Sequence, residues 1–256
     1  MQQPRPSEVT EIHTRILKVT LEADNSREYW RRAEATPSRG DARVEQAFNG
    51  YWFGARSMAR IRDLFTNFDA RFGAYPAALE ALHAWSGMDR ETRAVICHFH
   101  VQLSDPLYRA FTGDHCPEQR ESGRALTRDS VLRWVRSQDP EDRWSTTTQV
   151  QFASKLLSCA KGAGLVKRNQ DPRPLTLPRV TAGALGYLLH LLRSVDFAGS
   201  LHANPYLRST GVVGASFLDR VRAVPGVSAR SIADLVELHF DHPTPLEWVR
   251  ATQDCD

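Results

Sequence analysis

One segment in the middle of the chain limits the fold more than any other. Residues 150–161 contain no acid, have their apolar residues at helical spacing, and end at Gly162 and Gly164. Two short apolar segments follow, residues 165–168 and 175–177, and they predict strands joined by a proline-containing loop. A helix followed by a two-stranded basic ribbon is how a winged helix-turn-helix ends.

Basic charge is concentrated in the same part of the chain. Residues 143–193 hold eight Lys or Arg against one acid, Asp171, a net charge of +7, whereas the whole chain is only +3. Such a local excess favours a polyanionic partner. Most of the basic residues are Arg, which fits phosphate recognition and fits a GC-rich genome equally well.

Outside this segment the pattern is helical almost throughout. We therefore predict a mainly α fold: two helical domains, a winged-helix-like unit carrying a short β-hairpin in the middle, and a helical C-terminal extension. The predicted boundaries are residues 1–122 for the N-terminal helical domain, 123–193 for the winged-helix-like DNA-binding unit, and 194–256 for the extension packed on it. Helices are predicted at residues 11–21 and 229–240, a loop at 112–123, and a tail after Pro245.

Composition favours a cytoplasmic protein without a membrane anchor. The polar N-terminus shows no secretory signal, and the longest apolar stretch, residues 182–192, is about half of what spans a bilayer. The four cysteines form no CxxC pair, which favours reduced, buried thiols.

The start of the central helix is the first candidate DNA contact. Short hydroxyl and amide side chains at a helix N-terminus can bind phosphates and base edges. The alternative is an ordinary capped surface helix. Cations of the predicted wing favour DNA, because a wing lies along the phosphate backbone. The candidates are Ser145, Thr146, Thr147, Thr148, Gln149, Gln151, Lys155, Lys167, Arg168 and Arg173.

A second candidate lies in the N-terminal domain. Arg56 and Arg60 are four residues apart and share a helix face. This face binds nucleic acid or is a solvated helix surface.

The sequence carries no recognisable catalytic or metal motif. It lacks a GxxxxGK[ST] phosphate loop, a GxSxG elbow and an HExxH pair. Zinc-ligand residue types cluster at Cys97, His98, His100, His115 and Cys116, but their spacing fits no standard structural site. We therefore expect no enzyme activity, no metal and no cofactor.

Two segments resemble the BrxA family, accessory proteins of bacteriophage-exclusion (BREX) defence systems. Residues 51–60, YWFGARSMAR, look like that family's arginine-serine helix. Residues 144–166 are similar to its Trp-Ser-x-x-Thr start, Lys-Leu middle and Ala-Gly-Leu exit. The resemblance covers roughly residues 21–192.

The resemblance implies a mostly helical, two-domain protein that binds double-stranded DNA without known catalysis, beside other BREX proteins. It implies a basic groove at Arg56 and Arg60, and DNA-facing positions at residues 145–148 and Lys155. Two other functions stay open: a protein–protein adaptor that docks defence subunits, and a winged-helix transcriptional regulator reading paired half-sites.

Overall fold

Helices carry most of the described chain, as the sequence pattern predicts. The computed structural model describes residues 5–32, 40–139, 141–232 and 235–253. The N-terminal half contains α1 (Arg15–Lys18), α2 (Ala23–Arg31), α3 (Asp41–Asn49), α4 (Met58–Phe68), α5 (Pro76–Ala84), α6 (Arg90–Ser104), α7 (Pro106–Ala110) and α8 (Cys116–Glu121). Single π-helical turns continue α4 over Asp69–Gly73 and join α7 to α8 over Phe111–His115.

The second half contains the central unit and the C-terminal extension. Its elements are α9 (Arg128–Ser137), α10 (Thr146–Gly162), α11 (Ala182–Arg193), α12 (Pro205–Ser209), α13 (Ala215–Val221), β1 (Val227–Ile232), β2 (Leu235–Phe240) and α14 (Pro245–Thr252). The prediction of a mainly α fold is confirmed. In the described ranges, no helix combines the length and the apolar character needed to cross a membrane.

Local sequence signals set several helix starts. Asp89, Ser145 and Thr181 each accept a hydrogen bond from the backbone N–H three residues ahead. Thr127 and Ser130 form a reciprocal capping box at the start of α9. These caps satisfy donors that the first turn of a helix leaves free.

One hydrophobic cluster runs through all three predicted units. Its centre is α6, whose residues 95–104 are all buried. α6 packs against α2 on one side and against α11 on another, and α1 packs on α10. Gly162, at the end of α10, lies so close to Leu21 that an added Cβ would be 3.0 Å from Leu21 Cδ2. The N-terminal segment and the central unit therefore share a packed interface.

The predicted helix at residues 229–240 is wrong. This segment forms an antiparallel hairpin in which Val227 pairs with Phe240 and Ala229 with Leu238. Leu238 and Phe240 are partly buried, whereas Glu237 and His239 are exposed, so side chains alternate with the period of a strand. Phe240 is held by tertiary contacts, edge-on to His190 at 4.9 Å and under the Arg193 guanidinium at 4.5 Å.

The C-terminal extension is thus helical only in part, and the tail predicted after Pro245 is also wrong because α14 follows. Thr244 caps α14, and Trp248 of this helix is fully buried. Trp248 stacks on His190 of α11 at a ring distance of 5.3 Å. This contact anchors the end of the described chain to the core.

Two further predictions differ from the structure. Residues 112–121 are helical instead of a loop and pack closely on α12, since an added Cβ at Gly113 would lie 2.5 Å from Pro205 Cβ. In the predicted helix at residues 11–21 only Arg15–Lys18 is helical. The carbonyls of Val19 and Thr20 accept hydrogen bonds from the buried Arg71 guanidinium, which holds the chain extended after α1.

Candidate nucleic-acid interface

The loop before α10 is fixed by a buried carboxylate. Asp139 accepts hydrogen bonds from the backbone N–H groups of Arg143 at 3.1 Å and Trp144 at 2.8 Å. Trp144 packs on Phe152 with ring centroids 4.5 Å apart. Ser145 then caps the helix by accepting from Thr148 N–H at 3.2 Å. These contacts define where α10 begins and which face turns outward.

The outward face of α10 is polar and free of acid. Thr147, Gln151 and Ser158 are exposed, and Ser154 and Lys155 are partly exposed. Ser145 and Thr146 are exposed at the same end as Thr147, while Thr148 is partly covered. Hydroxyl and amide groups in such a row can donate to phosphates and base edges.

The opposite face of α10 is buried, as predicted. Phe152, Leu156 and Leu157 are fully buried. Gln149 was predicted to face outward, and this is wrong: it is 7% exposed and its side-chain oxygen lies 3.4 Å from Arg136 Nε. Helical spacing explains the error, because Gln149 lies three residues before Phe152 and seven before Leu156, on the buried face.

The two predicted strands after α10 do not form as regular strands, but residues 165–168 pair loosely with residues 173–176, and we call this paired ribbon the wing. Lys167 N–H donates to Pro174 at 3.0 Å and Thr176 N–H donates to Leu165 at 2.9 Å, but only Val166 and Leu175 form a bridge. Leu126 adds a third segment, exchanging two backbone hydrogen bonds with Arg173. The order is therefore a paired segment before α9, the helices α9 and α10, and two paired segments after them. This is the element order of a winged helix.

Asp171, the single acid of residues 143–193, connects the wing to the start of α9. Asp171 accepts from the backbone N–H of Arg128 at 2.7 Å and from Arg173 Nε at 2.7 Å. The hydrogen bonds and the arginines hold the pKa of Asp171 below its usual value, despite opposing desolvation. Arg168 Nε donates to the carbonyl of Pro172, which follows a cis peptide bond. The Arg173 side chain is therefore largely covered and paired with Asp171 within the wing, whereas Lys167 and Arg168 are exposed.

Two exposed cations of α9 lie near the candidate interface and were not among the predicted residues. Arg133 and Arg136 are exposed on the face opposite the buried Val131 and Val135. The contact between Arg136 and Gln149 places this face beside the first turns of α10. The signal was present in the sequence, since two arginines three residues apart share one helix face.

Arg56 and Arg60, the candidate arginines of the N-terminal domain, differ in their contacts. Arg60 forms an ion pair with Glu22 at 2.6 Å and donates to the carbonyl of Lys18 at 2.6 Å. Arg56 is exposed, and its side chain makes no ion pair within the described ranges. The predicted shared helix face is wrong, because α4 begins at Met58 and Arg56 lies before it. The two side chains do not form one free cationic surface, and a DNA role for them stays a prediction.

Histidines near the centre belong to the core. His98 contacts Tyr108 OH at 2.8 Å and Ser209 Oγ at 2.9 Å, and His100 contacts Tyr187 OH at 2.7 Å. Burial lowers the pKa of His98 to about 3 and that of His100 to about 4. Among residues whose placement is described, no group of three His, Cys, Asp or Glu could hold a metal ion. Cys97, Cys116 and Cys159 are buried thiols, while Cys255 lies outside the described residues.

Comparisons with known proteins bear on the fold alone. No protein-family model matches the chain, and no curated protein matches it. The crystal structure of an uncharacterized protein from Magnetospirillum magneticum is similar, with a TM-score of 0.55 at 13% identity over 70% of this chain and 92% of that one. This likeness supports the helical architecture.

Proposed function

We propose that this protein binds double-stranded DNA through α10 and the wing, mainly by phosphate contacts and without catalysis. The observation that carries the proposal is the acid-free outer face of α10, flanked by cations that no described carboxylate neutralises. Lys155 on α10 and Lys167 on the wing make no ion pair within the described chain. Arg133 of α9 is also exposed and makes no ion pair among the described residues.

Acidic residues just before α10 oppose the binding of DNA at that end of the interface. Arg143 lies 3.5 Å from Asp139 and 3.9 Å from Glu141, so its charge is compensated. Glu141 and Asp142 are exposed just before α10. The phosphate path should therefore run from the middle of α10 to the wing and away from this acidic loop.

The test is a fluorescence-anisotropy titration with a short random-sequence duplex across a salt series. Each phosphate contact contributes about 0.9 to the slope of log affinity against log salt. The triple variant Lys155→Ala, Lys167→Ala, Arg168→Ala should therefore bind more weakly and lower the slope by about 2–3.

A matched control removes the same number of charges elsewhere. Arg222, Arg230 and Arg250 are exposed in the C-terminal extension, and their triple replacement by Ala leaves the same net charge as the interface variant. The control should keep most of the affinity and the slope. Equal losses in both variants would refute a defined interface, and unchanged binding by the interface variant would refute the wing contact.

The resemblance to BrxA supports a finer proposal, that the DNA-bound protein works in a BREX defence system beside its other proteins. An adaptor role is the second candidate, favoured by two exposed aromatic side chains at the end of α3. Phe48 is 42% and Tyr51 69% exposed. If the adaptor role is primary, Phe48→Ser with Tyr51→Ser should release co-purifying defence proteins after nuclease treatment and leave duplex affinity unchanged.

A further inference from the structure

A cleft of about 550 Å³ lies beside the wing. Its walls are the start of α6, the end of α10 and the segment that leads from the wing to α11. This volume lies within the range of small-molecule sites in proteins. The cleft shares only Lys167 with the proposed DNA interface.

The rim of the cleft is cationic. Arg90, Lys161, Lys167 and Arg179 line it, and Glu91 is the only acid among the lining residues. Arg90 is exposed and makes no ion pair in the described parts of the chain, while Lys161 Nζ donates to the carbonyl of Lys167 at 3.0 Å. A ligand that neutralises these charges must itself be anionic.

The one ion pair at the rim is weak enough to open. Arg179 Nη1 lies 3.3 Å from a Glu91 oxygen, but the two side chains are 78% and 61% exposed. Ion pairs this exposed contribute little, because solvent screens them. A doubly charged phosphate can therefore take the place of Glu91 beside Arg179.

The floor of the cleft is apolar. Val95, Ala163 and Val166 are buried beneath it, and Ala94 and Pro178 complete its surface. A simple anion such as phosphate would leave this floor in contact with water. A ligand with a flat, weakly polar ring next to its phosphate would cover both surfaces.

Two helix N-termini meet near the same wall. The hydroxyl of Thr92 in the first turn of α6 lies 2.8 Å from that of Thr181, which caps α11. Asp89 occupies the cap of α6, accepting from Thr92 N–H at 2.9 Å. The Asp89 carboxylate thus occupies the donors of this helix end and offsets its partial positive charge, so recognition of a phosphate rests on the cations of the rim.

We propose that this cleft binds a nucleotide, with the phosphate at the rim between Arg90 and Arg179 and the base on the apolar floor. The nucleotide is either free or the terminal nucleotide of a DNA strand, since both present the same chemistry. The site goes beyond duplex binding, because a protein that binds no DNA could still hold a free nucleotide here.

The test is isothermal titration of the whole chain with adenosine 5′-monophosphate, adenosine and inorganic phosphate. The monophosphate should bind more tightly than either part alone. Arg90→Glu should weaken its binding by about tenfold or more, because a charge-assisted contact becomes a repulsion. Glu91→Gln should tighten binding several-fold by removing the competing carboxylate. Ala94→Phe fills the floor and should abolish binding without changing charge.

The control is Arg250→Glu, the same charge reversal on an exposed helix position outside the cleft, and it should bind like the unaltered protein. The proposal fails if the monophosphate does not bind at millimolar concentration, if adenosine binds equally well, or if Arg250→Glu weakens binding as much as Arg90→Glu does. Equal binding of the monophosphate by Glu91→Gln and the unaltered protein would also overturn the assigned phosphate position.

A duplex with a 5′-phosphorylated single-nucleotide overhang separates the two sources. If Ala94→Phe removes a preference for this duplex over a blunt one, the ligand is a DNA end. If both duplexes bind alike while the monophosphate binds, the ligand is a free nucleotide. Binding of the blunt duplex should not respond to Ala94→Phe, so the failure of either proposal is seen separately.

Discussion

Asp171→Ala tests whether the wing is tied to the body of the central unit. In the intact protein this carboxylate joins the wing to the first N–H of α9 and to Arg173, with both distances at 2.7 Å. The capping box of Thr127 and Ser130 satisfies the N–H of Ser130 in the same turn. The acceptor for the N–H of Arg128 therefore comes from Asp171, a residue distant in sequence. Losing a helix-start acceptor costs about 1 kcal/mol, and a partly exposed ion pair adds up to about 1 kcal/mol. We expect a loss of about 1–2 kcal/mol in the free energy of unfolding.

Differential scanning calorimetry measures this effect directly. For a chain of this size each kcal/mol shifts Tm by about 2–4 °C, so Asp171→Ala should melt about 2–8 °C lower. Glu45→Gln removes an exposed acid whose side chain makes no hydrogen bond or ion pair among the described residues, and it should leave Tm unchanged. If the two variants melt alike, Asp171 does not hold the wing on α9.

The pH dependence has a defined sign. The folded state lowers the pKa of Asp171 from 3.8, so the unfolded chain takes up the proton first as the solution is acidified. The stabilisation is therefore complete well above pH 3.8 and is lost as the pH falls through the folded-state pKa. The difference in stability between the unaltered protein and Asp171→Ala should be constant near neutrality and should shrink as the pH falls from about 3.8 to the lower folded-state pKa.

Three further predictions concern the core. Phe152→Ala should lower the free energy of unfolding by about 3–5 kcal/mol in urea titrations, whereas Gln151→Ala on the outer face should change it by less than about 0.5 kcal/mol. Burial lowers the pKa of His190 from 6.5 to about 4, so stability should fall as the pH drops between these values, and His190→Phe should flatten that fall in urea midpoints. Gly186→Ala should destabilise by about 1–3 kcal/mol and alter Trp248 fluorescence, because the added methyl group would overlap the indole, although Ala is the better helix former.

Helix positions and their caps follow from the sequence because they depend on nearby residues. Thr127, Ser145 and Thr181 each bind a backbone N–H three residues ahead, so a window of a few residues contains the whole interaction. The buried face of α10 is equally local, since one helical period fixes which side Phe152 and Leu156 share. The central part of the candidate interface was therefore predictable.

The hairpin at residues 227–240 was not predictable by the same reasoning. Apolar residues in this segment fit both a helical period and strand alternation, and the choice is made by distant partners. Phe240 packs against His190 and Arg193, and the turn that starts the hairpin approaches His242 through Gly226. Gln149 and Arg60 illustrate the same limit at the candidate site, because their partners, Arg136 and Glu22, lie 13 and 38 residues away.

The shared core also decides how the proposed interface is supported. The buried guanidinium of Arg71 donates to the carbonyls of Val19 and Thr20, in the segment that leads from α1 to Leu21. Leu21 in turn contacts Gly162, where α10 ends and the wing begins. A packed interior transmits displacement instead of absorbing it. Leu21 of the N-terminal segment therefore supports the end of α10, after which the wing with Lys167 follows. For this reason we expect Arg71 to influence the proposed DNA binding only through its support of the segment that packs on α10, since its guanidinium is buried.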